Sequence, residues 1–187
     1  MIARINRKKY QIYAMDVESH NDEESISKRE TSIWLGCFIN EDSNIDDEAS
    51  YFYSIEEFLD RCKALTSKKR KSSNDNRPCK NLAVFIYNLS FEWSFILPVL
   101  ISKGFTFESN IDENSSLCYN SISTKSVSSV WQVQIKFEKS DGIVILRDLS
   151  KLYGGGLGNV AKAFNLPTHK GEINYRLNRL QDRKSVV

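Results

Sequence analysis

Asp16-Val17-Glu18 closes an otherwise apolar stretch that begins at Tyr10. Residues i and i+2 of a strand project to one face, which would set these two carboxylates side by side. Close like charges repel unless a cation lies between them, and hard cations such as magnesium and manganese take oxygen ligands. A pair of such ions, ~3.5–4 Å apart, can clamp the attacking and leaving oxygens of phosphoryl transfer. The plainer alternative is that the acids mark the end of a strand, because turns favour Asp.

Three further segments carry candidate chemistry. In Asn88-Leu89-Ser90-Phe91-Glu92 an apolar run passes into a helical pattern, with Asn88 or Ser90 as its cap. Glu92 falls in the first turn, where ligands gather at the carboxyl ends of strands in open α/β sheets. Phe91 and Phe95 are one turn apart. A first-turn Glu also suits a helix dipole, and Phe91, Trp93 and Phe95 could be ordinary core. In Arg147–Phe164 an Asp ends another apolar run, and a glycine-rich turn opens a helix. That turn lacks both the GxxxxGK[ST] and the GxGxxG spacing, so a simple turn and cap is favoured over a phosphate cradle. Lys170 follows a Pro/Thr turn and could meet a phosphate, although most lysines are merely solvated.

The elements that would position these groups follow from pattern. Strands are predicted at Tyr10–Val17, Thr31–Asn40 and Ala49–Tyr53. Ser54 caps a helix over Ile55–Leu65, with Glu57 completing a capping box. The polar segment 67–80 reads as an exposed insert. Its Lys68-Lys69-Arg70-Lys71 run sits among Ser, Asn and Asp and reads as solvated loop. Leu82–Tyr87 is a continuous apolar run, the mark of a central strand buried on both faces. A helix over Phe91–Ser102 is ended by Gly104. Weaker strands follow at Phe105–Glu108, Leu117–Ser123, Val130–Phe137 and Ile143–Arg147, then a short helix at Leu157–Phe164. Together these give an α/β class with a mixed sheet flanked by helices, and no readable strand order.

Composition bounds the rest. The 187 residues, with 26 Lys+Arg against 24 Asp+Glu, suit one globular domain and exclude collagen-like, coiled-coil and disordered classes. No apolar run is long enough to span a membrane, and the basic start lacks the apolar segment of a signal peptide. Cys37, Cys62, Cys79 and Cys118 are widely spaced and far from His20 and His169, so buried free thiols are favoured over zinc. Basic ends around an acidic middle would suit a polyanion.

Taken in order, these segments resemble the N-terminal 3′–5′ exonuclease domain of protein-primed family B DNA polymerases of phages, viruses and linear plasmids. Asp16-Val17-Glu18 is similar to the first exonuclease motif, and Asn88–Glu92 to the N-x-x-F-(D/E) second motif. Asp148-Leu149-Ser150-Lys151-Leu152 resembles the family's Ser/Thr-Leu DNA-binding motif. Lys170-Gly171-Glu172-Ile173 resembles the motif that supplies a catalytic-site lysine. The resemblance runs from about Tyr10 to Leu180. It implies an RNase H-like fold and a two-metal magnesium or manganese site held by Asp16, Glu18 and Glu92. It also implies that Lys170 stabilises phosphate charge. Ser19, Asn88, Phe91, Phe95, Ser150 and Tyr175 would bind the 3′ end of single-stranded DNA. The full-length parent would be a DNA-directed DNA polymerase, with a polymerase domain and a priming terminal protein as partners, in the cytoplasm of a phage or virus host.

Three departures stand out. The second motif has Glu92 where most of the family has Asp, and residues 149–150 read Leu-Ser, not Ser-Leu. The family's third motif, Y-x-x-x-D, does not occur after Tyr175. The expected domain is therefore 1–181, C-terminally incomplete, with weak or absent activity. Residues 182–187 break the preceding pattern, and one back-translation of them resembles a sequencing adapter, so they are expected to be non-native. Two other classes stay open. One is a standalone RNase H-like nuclease of a mobile element, with Asp148 as third carboxylate. The other is a non-catalytic DNA-binding or protein-interaction module.

Overall fold

In the computed structural model the residues described are 10–19, 32–43, 47–67, 81–108, 120–126, 130–153 and 155–165. The alternation of Met15 and Val17 with Asp16 and Glu18 forms strand β1, Tyr10–Ser19, two residues longer than the apolar pattern alone predicts. Strand β2, Ile33–Ile39, pairs antiparallel with it. Gly36 in β2 has a packing reason: any Cβ there would clash with the ring of Phe52.

The strand expected at Ala49–Tyr53 is only partly formed. Asp47 accepts a hydrogen bond from the Ala49 N–H at 3.0 Å and winds Glu48–Ser50 into a 3-10 turn, which leaves β3 only Tyr51–Phe52. Helix α1, Ile55–Thr66, begins as expected: Ser54 Oγ accepts from the Glu57 N–H at 3.1 Å. The returning Glu57 carboxylate reaches the N–H of Tyr53, one residue before the cap, at 3.0 Å. Arg61 joins Glu57 and the carbonyls of Ala49 and Tyr51, tying helix to turn.

Strand β4, Asn81–Ile86, is central, as its apolar run implies, and is parallel to β1 on one side and to β8, Val144–Asp148, on the other. Helix α2, Leu89–Ser102, starts two residues earlier than predicted. Asn88 occupies the cap position in left-handed conformation, φ 70, but its side chain makes no cap bond. Gly104, φ +80, follows the helix end. Strands β5, Thr106–Phe107, β6, Ser121–Ser126, and β7, Val130–Lys136, complete the sheet. Helix α3, Leu157–Ala163, comes last among the described residues.

The 8-stranded order is β3-β2-β1-β4-β8-β7-β6-β5, a parallel centre flanked by antiparallel strands. Met15, Ile86 and Asp148 stand in one row across the parallel strands, so their side chains share a face. That face holds the core: Met15, Val17, Phe38, Val84, Ile86, Val133, Val144 and Leu146 pack with Phe58, Leu59, Leu89, Ile96 and Leu100 of α1 and α2. The other face presents Ala14, Asp16, Phe85, Arg147 and Gln132 in the alternate register. Of the cysteines, Cys62 is fully buried in the core, whereas Cys37 is only half-buried. Cys79, Cys118, both histidines and most of the insert lie outside the described residues.

Candidate functional site

The row Met15–Ile86–Asp148 fixes where the candidate residues go. Past it, β1 continues through Asp16 to Ser19, β4 turns through Asn88 into α2, and β8 turns through a 3-10 segment, Leu149–Lys151. Three of the sequence-predicted segments thus emerge at one end of the sheet, the carboxyl end of its parallel strands. That is where open α/β sheets place their sites, because chain direction brings the loops together there.

Asp16 and Glu18 do share a face, the one opposite the buried Met15 and Val17, as two-residue periodicity requires. Asp16 is exposed and stands across from Cys37 of β2. Burial raises the Cys37 thiol above its usual range, and the Asp16 charge adds to the rise. Glu18 is half-buried opposite Leu35. The pairing shifts between Glu18 and Ser19, and Ser19 ends up buried, 5% exposed.

Glu92 behaves differently. It faces inward from the first turn of α2, 2% exposed, and its Oε2 has no hydrogen-bond partner. Burial pushes its carboxyl up to about 8. Its own backbone N–H opposes the rise, and the charges of Asp16 and Asp148 add to it. Carboxylates from both faces at this end of the sheet thus act on Glu92: Asp16 on the open face and Asp148 on the core face. Among the described residues no group of three or more His, Cys, Asp or Glu side chains is arranged to hold a metal. The Asp16/Glu18 pair supplies the hard oxygen donors that magnesium or manganese takes. The orphaned Glu92 oxygen is a buried acceptor that a proton or a cation would satisfy.

Asp148 is the residue that sequence reasoning undervalued. It is 3% exposed, and Oδ1 accepts from two main-chain donors, the N–H of Asn88 at 3.1 Å and that of Ser150 at 2.8 Å. Its Oδ2 is buried without a partner. The signal was an acid closing an apolar strand; that it would reach across to the β4–α2 turn was not readable from spacing.

The expected DNA-binding residues divide by exposure. Phe91 is 41% exposed and meets the half-buried Phe95 edge to face, ring centroids 5.2 Å apart. Asn88 is exposed and Ser150 half-buried, each beside its turn. Trp93, in contrast, is core, 7% exposed. The glycine-rich turn is tied down by Tyr87, whose hydroxyl donates to the Gly155 carbonyl. Tyr153 and Phe164 pack edge to face across α3. Lys170, Tyr175 and residues 182–187 lie outside the described residues.

No protein-family model matches the chain, and no curated protein matches it. Solved structures do. Phi29 DNA polymerase with primer-template DNA and incoming nucleotides superposes with a TM-score of 0.58 at 20% identity. The same polymerase with primer-template DNA gives 0.59 at 19%, and with single-stranded DNA 0.59 at 20%. Each match covers 88% of this chain and 25% of the polymerase chain. The fold is RNase H-like. The chain spans about a quarter of the length of the polymerase it matches.

Proposed function

We propose that this chain is a 3′–5′ exonuclease domain of a protein-primed family B DNA polymerase, acting on the 3′ end of single-stranded DNA. One observation carries the reading. The segments that resemble the first two exonuclease motifs and the Ser/Thr-Leu motif meet at one sheet end, in a fold shared with Phi29 DNA polymerase. Two of the matched structures hold that polymerase with primer-template DNA, and a third with single-stranded DNA.

In this reading Asp16 and Glu18 hold magnesium or manganese, with Glu92 as a further ligand. Bound there, the metals supply charge neutralisation and an activated water for phosphodiester hydrolysis. The chain's own groups do the gripping. Phe91, backed by Phe95, offers an exposed ring on which a terminal base stacks, a contact indifferent to sequence, as proofreading needs. Asn88, Ser150 and Tyr175 bind the strand, whereas Ser19, expected beside them, is buried. Lys170 sets a positive charge against the phosphate that gains charge during cleavage. Polymerase and terminal-protein partners belong to the full-length parent.

The standalone-nuclease reading has one observation in its favour: Asp148 is a buried carboxylate close enough to raise Glu92. Calorimetric titration with manganese, joined to binding of a labelled single-stranded oligonucleotide, tests the class. Manganese binding that is lost in Asp16→Ala, with DNA binding retained, is expected. A chain that binds neither ligand does not belong to this class. Digestion that cuts internally, and not from the 3′ end, would turn the choice to the standalone nuclease.

A further inference from the structure

The strongest unexplained geometry is at Asp148, to which the exonuclease-domain reading gives no role at metal or DNA. One of its oxygens holds two main-chain N–H groups from two separate junctions, Asn88 after β4 and Ser150 after β8. Both junctions need such a holder. Asn88 sits in left-handed conformation with no side-chain cap bond, so the entry to α2 lacks the usual local fastening. Ser150 lies in a 3-10 turn for which Asp148 is itself the cap. The carboxylate is buried, and its position is fixed by the row Met15–Ile86–Asp148 across the parallel strands. A rigid anchor on a strand thus reaches two loops at once.

We propose that Asp148 is a positioning residue. Its Oδ1 clamps the β4–α2 turn to the β8 turn, setting the spacing between Asn88 and Ser150 for a single DNA strand that both contact. The inference rests on the proposed function for its DNA half alone; the clamp stands on the hydrogen bonds. It also separates two roles for this carboxylate. A clamp needs an acceptor oxygen and not a charge, whereas a third metal ligand needs the charge. Asp148→Asn keeps the acceptor and removes the charge, and Asp148→Ala removes both.

Two measurements test this. The first is amide hydrogen exchange at Asn88 and Ser150 by NMR. Exchange is expected to stay slow in the wild type and in Asp148→Asn, and to speed up at least about tenfold in Asp148→Ala as both donors are released. The second is binding of fluorescein-labelled oligothymidine in calcium. Affinity is expected to fall about tenfold in Asp148→Ala and to stay within about threefold in Asp148→Asn, in line with loss of about one ordinary hydrogen bond when the acceptor goes. Should Asp148→Ala not fold, Asp148→Leu, similar in length but with no acceptor, replaces it. The clamp is overturned if exchange at the two amides is unchanged without the acceptor, or if Asp148→Asn loses as much affinity as Asp148→Ala. A wild-type chain that fails to bind oligothymidine sinks the proposed function and the DNA half of the inference, while amide exchange still decides the clamp.

Discussion

A carboxylic acid with a buried, unpartnered oxygen, such as Glu92, makes stability depend on pH in a known direction. Its carboxyl is raised from 4.5 to about 8 in the fold, chiefly by burial. Between those values the folded chain keeps a proton that the unfolded chain releases. Stability is therefore full below the unfolded value, falls as pH rises, and levels off above about 8, at up to ~1.4 kcal/mol per pH unit. Chemical denaturation of the metal-free chain at pH 5 and pH 8 checks this: Glu92→Gln should flatten the dependence, and an equal slope in the variant would refute the assignment. A second prediction concerns Phe91. Because the ring is 41% exposed, Phe91→Ala should leave the melting temperature nearly unchanged. Its oligothymidine affinity should drop by about 1–3 kcal/mol, the usual worth of one base stacked on an aromatic ring. Ile96→Ala, at a fully buried position five residues further on, should do the reverse, lowering stability by ~2–5 kcal/mol.

At the scale of elements, close packing at one glycine decides whether β2 can pair with β3. Gly36→Ala puts a methyl group into the Phe52 ring, and Phe52 is itself fully buried beside Phe58. The expected cost is ~1–3 kcal/mol, as for other overpacked cores, read as a lower melting temperature. A double variant with Phe52→Leu should recover part of it; no recovery would place the strain elsewhere. Sequence pattern was most informative here where local chemistry decides. Ser54 and Glu57 marked the start of α1 correctly, and Gly104 marked the end of α2. It failed where a distant partner decides. The Asn88 side chain does not cap α2, because its main chain is turned into left-handed conformation and held by Asp148, 60 residues away in sequence. At Glu48–Ser50 the Asp47 side chain won the backbone from a strand, a competition that β propensity does not express.

For the whole molecule, the core lies on one face of the sheet and the Asp16/Glu18 pair on the other, so metal and folding are separable. The chain should fold without divalent ions. Manganese in large excess over its dissociation constant should then raise the melting temperature by several degrees through mass action. Asp16→Ala should fold equally well and lose that shift. Collapse of the apo chain, or an undiminished shift in the variant, would contradict the placement of the pair. No described helix is long and apolar enough to cross a membrane.

By itself the sequence determined the things set by short-range chemistry. These are the α/β class, the central buried strand, the caps of α1, the two carboxylates on one face of β1, and the order of the site segments. The periods of strand and helix and the chemistry of caps are local, so a single chain displays them. Only the tertiary structure decided strand order, because pairing joins residues far apart in sequence: β1 lies against β4, and β4 against β8. It decided that Glu92 turns inward and gains its raised carboxyl, since burial is a property of the surroundings and not of the residue. It also decided that Asp148 holds two turns with one oxygen, which no spacing along the chain could express.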